Sequence, residues 1–316
     1  MVQTRYQAQF IQENSNPPSA LKSPAARRPR RTRRPSEPEN LPEIGTSQSP
    51  LLDICPPPLE PANDATYEIE NVLEQLDDWE CSTLDALMNR WPSIPARLKG
   101  MRPHLPKKTD SRPTLVLDID ETLLYAYRHG SEETFDPDYV VYAADRRSVL
   151  TAGILRPGVT EFLIWASGIF EVIVWTAGDD EYASMVRTVL DPQKKYITHM
   201  LTRRSCILMR SKATKQVMYI KDLCALGRDL RKTFLVDNTP HVATLNLSNY
   251  IPIEAYQGDS SDNQLEQLRR FLESKIVRVA DQKHDLRTIL HRQFDLKRKL
   301  RERVRTWKKN ASLQYQ

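Results

Sequence analysis

The run Thr114 to Ile119, bounded by Pro113 and closed by the acidic turn Asp118-Ile119-Asp120-Glu121, constrains this chain most. A short leucine-rich, β-branched run without alternation fits a strand buried on both faces, as in a parallel sheet. Comparable strands are predicted at Glu171 to Trp175 and Thr233 to Val236. Between them the patterns are helical: Pro157 to Ser167 with proline in the first turn, Asp179 to Leu190 with acidic residues at its start, and a shorter stretch from Asp222 to Leu226 before Gly227. Strands alternating with helices specify an α/β fold around a central parallel sheet. Tyr139 to Leu155, broken by Asp145-Arg146-Arg147, interrupts the alternation and reads as a short β insert, a hairpin, after the first strand.

The flanks differ in character. The chain has 22 Pro against 9 Gly, and the prolines crowd the region before residue 113, so residues 1 to 64 are expected to be a disordered Pro- and Arg-rich tail. From Tyr67 to Trp91 apolar residues recur at three and four, giving one or two acidic amphipathic helices within residues 65–110. The catalytic domain is placed at 111–278, with a helix at Asn263 to Val277, and residues 279–316 as a basic C-terminal helix from Asp285 to Lys309. Cys55, Cys81, Cys206 and Cys224 show no CxxC spacing, which gives neither a disulfide framework nor a zinc site and fits a reducing compartment. The longest apolar stretch, Phe162 to Trp175, is too short for a bilayer and is interrupted by Ser167, Gly168 and Glu171. No secretory signal pattern opens the chain. The net charge of +5 sits largely in two places, an Arg block at Arg27 to Arg34 and the basic C-terminus, each suited to an anionic partner.

The predicted strands end in Asp118-Ile119-Asp120-Glu121-Thr122, Trp175-Thr176-Ala177-Gly178 and Val236-Asp237-Asn238-Thr239-Pro240. Ligands of open parallel sheets bind at the carboxyl ends of the strands, so the three tips converge on one crevice. Two aspartates two apart can divide the work of nucleophile and general acid/base at phosphorus. Because a carboxylate and a phosphate repel, such a site needs cations: Mg2+ held by Asp118, the backbone carbonyl of Asp120 and Asn238, and Lys221 with the Thr176 hydroxyl on the phosphoryl oxygens. Singly, each piece has a plainer explanation as a turn, a cap or a solvated lysine. Their placement at strand ends in one order is what argues for chemistry.

Residues 112 to about 275 resemble the FCP/SCP-type serine phosphatases of the haloacid dehalogenase superfamily, which act on the C-terminal domain of RNA polymerase II. The resemblance is carried by LVLDIDETLLY at Leu115 to Tyr125, LRPGVTEFL at Leu155 to Leu163, WTAG at Trp175 to Gly178, RRSC at Arg203 to Cys206, KDLCALGRDL at Lys221 to Leu230 and FLVDNTP at Phe234 to Pro240. It implies a Rossmannoid domain with Asp118 as nucleophile, Asp120 as acid/base and Thr176 and Lys221 as the phosphate-binding pair. Arg203 corresponds to an arginine that helps hold the phosphate. By the same resemblance Asp237 would orient Lys221 and the metal's water shell, Asn238 would be a metal ligand, and Thr122 and Glu121 of the DxDxT signature would have positioning roles. Ile119 and Thr239 replace the family's usual leucine and serine, and the Cys206 to Lys221 loop is longer than usual.

The expected function is a Mg2+-dependent protein serine/threonine phosphatase acting on a flexible phosphorylated segment such as the polymerase tail, in the nucleus. The alternative is a phosphatase-like subunit of the mitochondrial inner-membrane protein translocase, which shares the fold but normally carries a transmembrane helix. A nucleic-acid-binding module is a third reading, since Arg27 to Arg34 holds six arginines and Arg287 to Lys309 ten basic residues against two acidic ones. For the Arg block, held extended by Pro29 and Pro35, nuclear import is the preferred role.

Overall fold

A computed structural model of the chain describes residues 67–90, 104–127, 136–142, 149–210, 217–279 and 285–313. The expected tail at 1–64, its Arg block and Asp145-Arg146-Arg147 lie outside the described residues. In chain order, α1 (Glu70–Glu74) and α2 (Asp78–Arg90) precede β1 (Thr114–Leu117). Then come β2 (Leu124–Tyr127), β3 (Tyr139–Tyr142), β4 (Val149–Leu155), α3 (Val159–Ile169), β5 (Glu171–Trp175), α4 (Asp180–Leu190) and β6 (His199–Leu201). They are followed by β7 (Ile207–Arg210), β8 (Val217–Ile220), β9 (Thr233–Asp237), β10 (Tyr250–Pro252), α5 (Gln264–Phe271), α6 (Arg287–Phe294) and α7 (Leu296–Leu313).

The central sheet runs β10-β9-β1-β5-β6, with all four pairings parallel. This is the α/β architecture that the apolar runs specify. Leu117 lies opposite both Val174 and Val236, so β1, β5 and β9 end level and their polar tips share one edge of the sheet. The strand interiors are fully buried, from Leu115 to Leu117, Val172 to Val174 and Phe234 to Val236. α3 and α5, packed on one another, add Phe162, Leu163, Leu265, Leu268 and Phe271 to the same core.

The β insert is larger than a hairpin. β2, β4 and β3 form a three-stranded antiparallel sheet, because Leu124 to Tyr127 also joins it, pairing with Ala152 to Leu155. A second hairpin, β7 with β8, occupies much of the Cys206 to Lys221 segment. The helix expected around Asp222 to Leu226 is a 3₁₀ turn, Leu223–Leu226, capped by the Asp222 side chain and ended by Gly227 at φ 67°. The expected helix at Asn263 to Val277 is α only to Phe271, continuing as a π segment, Leu272–Ile276. The single basic helix expected at Asp285 to Lys309 is two helices, α6 and α7, separated where Asp295 takes a left-handed conformation at φ 43°.

The two ends of the described chain meet. Tyr67 stacks on Phe271 at 5.5 Å and sets its edge to Phe294 at 6.1 Å. Arg303 of α7 donates to the carbonyls of Leu73 and Leu76, satisfying the end of α1, and Trp307 donates to Asp78 at 2.9 Å. Lys308 pairs with Asp85 and Lys299 with Glu70, so the acidic helices lie against the basic one. Among the described residues no helix is long and apolar enough to cross a membrane, and Cys81, Cys206 and Cys224 are free thiols.

Candidate active site

At the level ends of β1 and β9, Asp118 and Asp237 face one lysine. Lys221, 1% exposed and set immediately after β8, donates to Asp118 Oδ1 at 2.5 Å and to Asp237 Oδ2 at 2.6 Å. Burial pulls the Lys221 ammonium down, but the two carboxylates outweigh it and hold the pKa above its ordinary value, so the lysine is charged. Its own amide donates to the Val242 carbonyl at 2.9 Å, which ties the Lys221 backbone to the loop after β9. Asp237 Oδ1 accepts from the Thr239 amide at 2.9 Å, and its carbonyl accepts from the Tyr250 hydroxyl at 2.7 Å. Burial, then the charge of Asp118, push the Asp237 carboxyl up to about 7 against the pull of Lys221.

Asp120 faces the tip of β5 instead. Its Oδ2 accepts from the Thr176 hydroxyl at 3.3 Å and its Oδ1 from the Tyr182 hydroxyl. The Thr176 oxygen in turn accepts from the Gly178 amide at 2.8 Å. Burial and then the negative charge of Asp118 push the Asp120 carboxyl up to about 6, further than the two hydroxyls pull it back. One aspartate is thus held against an ammonium and the other against two hydroxyls, and the raised carboxyl of Asp120 suits it to carrying a proton.

The turn between β1 and β2 holds Glu121 at φ 58°. Asn238 Nδ2 donates to Glu121 Oε2 at 3.2 Å, and the buried Thr122 hydroxyl donates to Asn238 Oδ1 at 3.4 Å. Burial, followed by the charges of Asp120 and Asp118, pushes the Glu121 carboxyl up to about 7. Arg203 stands beside this group rather than in it. Its amide donates to the Gly178 carbonyl at 2.9 Å, its guanidinium lies 3.6 Å from Asp179 and over the Tyr219 ring, and its buried Nε has no hydrogen-bond partner among the described residues.

Sequence reasoning missed Tyr182. It sits in the first turn of α4, whose cap Asp179 accepts from the Tyr182 amide at 2.9 Å. Gly178 makes room for it, since a Cβ there would come within 2.5 Å of the tyrosine ring. The legible signal was positional: the first turn of a helix that follows a strand tip faces the crevice. Arg156 was also missed, a fully buried guanidinium that grips Asp262 and donates to the Thr122 carbonyl behind the turn.

The donor set fits a hard divalent cation. Asp118 and Asp237 share the ammonium of Lys221, and burial and then the charges of Asp120 and Asp118 raise the carboxyl of the neighbouring Glu121, so the site gathers acidic groups whose ionisation a cation would favour, and the Asp120 carbonyl accepts none of the backbone hydrogen bonds of its turn. Among the described residues no three His, Cys, Asp or Glu side chains form a ready metal cluster. A site of one carboxylate, one backbone carbonyl and one amide is compatible with that.

Compared with known proteins, residues 113–287 match the pattern of the NLI interacting factor-like phosphatases. The chain is 33% identical over 253 residues to CTD small phosphatase-like protein 3 of Caenorhabditis elegans, covering 78% of this chain and 83% of that protein. It is 36% identical over 187 residues to CTD small phosphatase-like protein 2 of Dictyostelium discoideum, covering 58% of this chain and 31% of that one. The solved structure of Fcp1, an essential RNA polymerase II CTD phosphatase, aligns at 20% identity and a TM-score of 0.38, over 59% of this chain and 54% of Fcp1. Matched over more than half of its length by the family pattern and over most of it by a phosphatase-like relative, the chain belongs to the NLI interacting factor-like phosphatases of the haloacid dehalogenase superfamily and is a protein phosphatase.

Proposed function

We propose that the chain hydrolyses phosphoserine or phosphothreonine through an aspartyl-phosphate on Asp118, with Mg2+ as cofactor. The observation that carries this reading is the pair of opposed environments at one sheet edge, Asp118 with Lys221 and Asp120 with Thr176 and Tyr182. An oxygen of Asp118 attacks phosphorus as the bond from phosphorus to the serine oxygen breaks, and protonated Asp120 gives its proton to that leaving oxygen. Water then attacks the phosphoryl group, Asp120 takes a proton from it, and the bond from phosphorus to Asp118 breaks to release inorganic phosphate. Lys221 and the Thr176 hydroxyl hold the non-bridging oxygens, helped by Arg203, while Asp237 orients Lys221 and Thr122 steadies Asn238. Asp118, the Asp120 carbonyl and Asn238 would hold Mg2+, which when bound supplies positive charge against the repulsion between carboxylate and phosphate.

A flexible phosphorylated segment such as the polymerase C-terminal domain is the substrate class favoured. Among the described residues the insert between β1 and α3 is a three-stranded sheet, ill suited to enclosing a metabolite, and an extended peptide binds through residues flanking the phosphate. The two relatives described above are named CTD small phosphatase-like proteins. None of them is named as a translocase subunit, and the mitochondrial reading is not carried further. Asp118→Asn is expected to abolish hydrolysis of para-nitrophenyl phosphate in Mg2+ while a cooperative thermal melt is retained, and a variant retaining about a tenth of the activity would sink the aspartyl-phosphate. Nuclear placement rests on the Arg27 to Arg34 block. A fluorescent fusion is expected in the nucleus and, with residues 1 to 40 deleted, across the cytoplasm. Mitochondrial fluorescence would refute it.

A further inference from the structure

α7 sorts its cations. Along 296–313 it carries eight basic residues against Glu302 alone. Those on the side facing the acidic helices are engaged: Lys299 with Glu70, Arg303 with the carbonyls ending α1, and Lys308 with Asp85. Arg298 holds Asp295 and Glu302, the two acidic residues on the outer side. Of the remaining four, Lys309 lies near the end of the helix, and Lys297, Arg301 and Arg305 are exposed with no ion-pair or hydrogen-bond partner for their side chains among the described residues. They stand at successive four-residue steps, about 6 Å apart on one helix face, as a row about 12 Å long. Like charges at that spacing repel, so the row works against the helix unless something anionic lies along it.

The row also borders a recess. Lys297, Arg301 and Arg305 line a groove of about 510 Å³ whose two carboxylates, Asp295 and Glu302, are both held by Arg298, and whose rim includes Ser248 and His291, the latter 71% exposed at its side chain. The groove starts at the turn Leu247–Asn249, just before β10, the sheet end opposite the candidate site. From there α7 climbs to Asp78 at the start of α2, whose Trp79 lies edge-on to His241 in the loop after β9. A charged track thus runs up the β10 edge toward the end of the sheet that holds Asp118.

The chemistry of the track narrows its occupant. The apolar residues of α7, Leu296, Leu300 and Val304, are buried, so the helix offers no face for a lipid bilayer. Its aromatic residue, Trp307, is half-buried and tied to Asp78, leaving no stacking platform for single-stranded nucleic acid. Phosphate groups spaced along a flexible polypeptide meet both limits.

We infer that Lys297, Arg301 and Arg305 form a docking track for a further phosphate of a multiply phosphorylated polypeptide substrate, remote from the one being hydrolysed. This rests on the protein phosphatase reading of the site at Asp118. Docking of one phosphate raises the effective concentration of the next at the catalytic crevice, so its signature is in KM and not in kcat.

The test uses the full chain and the triple variant Lys297→Gln, Arg301→Gln, Arg305→Gln, which keeps good helix formers. The substrates are a repeat peptide phosphorylated once, the same peptide phosphorylated in every repeat, and para-nitrophenyl phosphate. The native chain is expected to show about a tenfold lower KM for the multiply phosphorylated peptide, and the variant to lose that advantage. Its kcat, and its rate on para-nitrophenyl phosphate, should not change. Fluorescence anisotropy of the labelled, multiply phosphorylated peptide decides the docking without turnover, with binding by the variant weaker by about the same factor. Equal affinity of the two proteins for that peptide would overturn the inference whatever the kinetics. So would a variant that binds duplex DNA less tightly while keeping the native KM ratio, since the row would then serve nucleic acid. Failure of the native chain on every phosphomonoester, with the anisotropy difference intact, would refute the phosphatase reading and leave the docking track standing.

Discussion

His241, 7% exposed, shows how one residue near the candidate site couples pH to stability. Its Nδ1 is buried without a hydrogen-bond partner among the described residues and its ring meets the Trp79 ring edge-on at 5.2 Å between centroids. Burial first, then the charge of Lys221, push its pKa down to about 4. An unfolded chain binds that proton near pH 6.5. Between the two values only the unfolded state takes up the proton, so the stability is fully present above about pH 6.5 and is lost as pH falls toward 4. At roughly 1.4 kcal/mol per pH unit the loss approaches about 3 kcal/mol. Urea unfolding followed from pH 7 to pH 4 should therefore fall more steeply for the native chain than for His241→Phe, which keeps a ring against Trp79. Parallel curves would mean that His241 does not carry this pH dependence.

The elements around the site are joined by a single buried guanidinium. Arg156, at the end of β4, makes a two-pronged contact with Asp262 at 2.8 and 2.7 Å, donates to the Thr122 carbonyl at 3.1 Å, and lies over the Tyr256 ring. Asp262 also accepts from the Gln264 amide, so the β1 to β2 turn, the insert and the start of α5 meet at one charge pair. Arg156→Ala leaves Asp262 without its partner and is expected to lower stability by about 3–5 kcal/mol in chemical denaturation. Arg156→Lys keeps the charge but not the fork, and should fall between. A Lys variant as stable as the native chain would show that charge alone suffices. None of this was legible in LRPG, because a buried partner 106 residues away leaves no mark on local spacing. The strands β1, β5 and β9 could be read because strands buried on both faces are apolar throughout and their polar tips stand out. β6 and β10 could not: each has three residues, and β10 ends on Pro252, which an edge strand tolerates. Nor was the break at Asp295 visible, since neither glycine nor proline marks it and the apolar spacing continues across it. The same contrast divides the site. Asp118, Thr176 and Asp237 lie on strand tips, whereas Tyr182 reaches Asp120 only through the cap at Asp179 and the space left by Gly178.

At the scale of the whole molecule, the family pattern ends at residue 287, but the core continues beyond it. Leu290, Phe294, Leu296, Leu300 and Val304 of α6 and α7 are each no more than 5% exposed and belong to the cluster that contains β1 and β9. Phe294 closes the aromatic group with Tyr67 and Phe271, at 5.3 Å from the latter, so the same contacts hold residues ahead of β1 in place. Burying five such side chains is worth about 1.5–3 kcal/mol each, or roughly 10 kcal/mol together. Because that figure takes an extended unfolded chain as reference, it is an upper value. It still compares with the entire stability of an ordinary domain, about 5–15 kcal/mol. A chain truncated after Leu286 retains every residue of the candidate site, so if the site region were self-sufficient its melting would be little changed. The packing predicts the opposite: calorimetry of the truncated chain should show no cooperative transition, or one far below that of the full chain, together with dye binding to the exposed faces of Tyr67 and Phe271. A sharp transition within a few degrees of the full chain would mean that α6 and α7 rest on the fold without supporting it, and that the acidic helices α1 and α2 are held by other contacts.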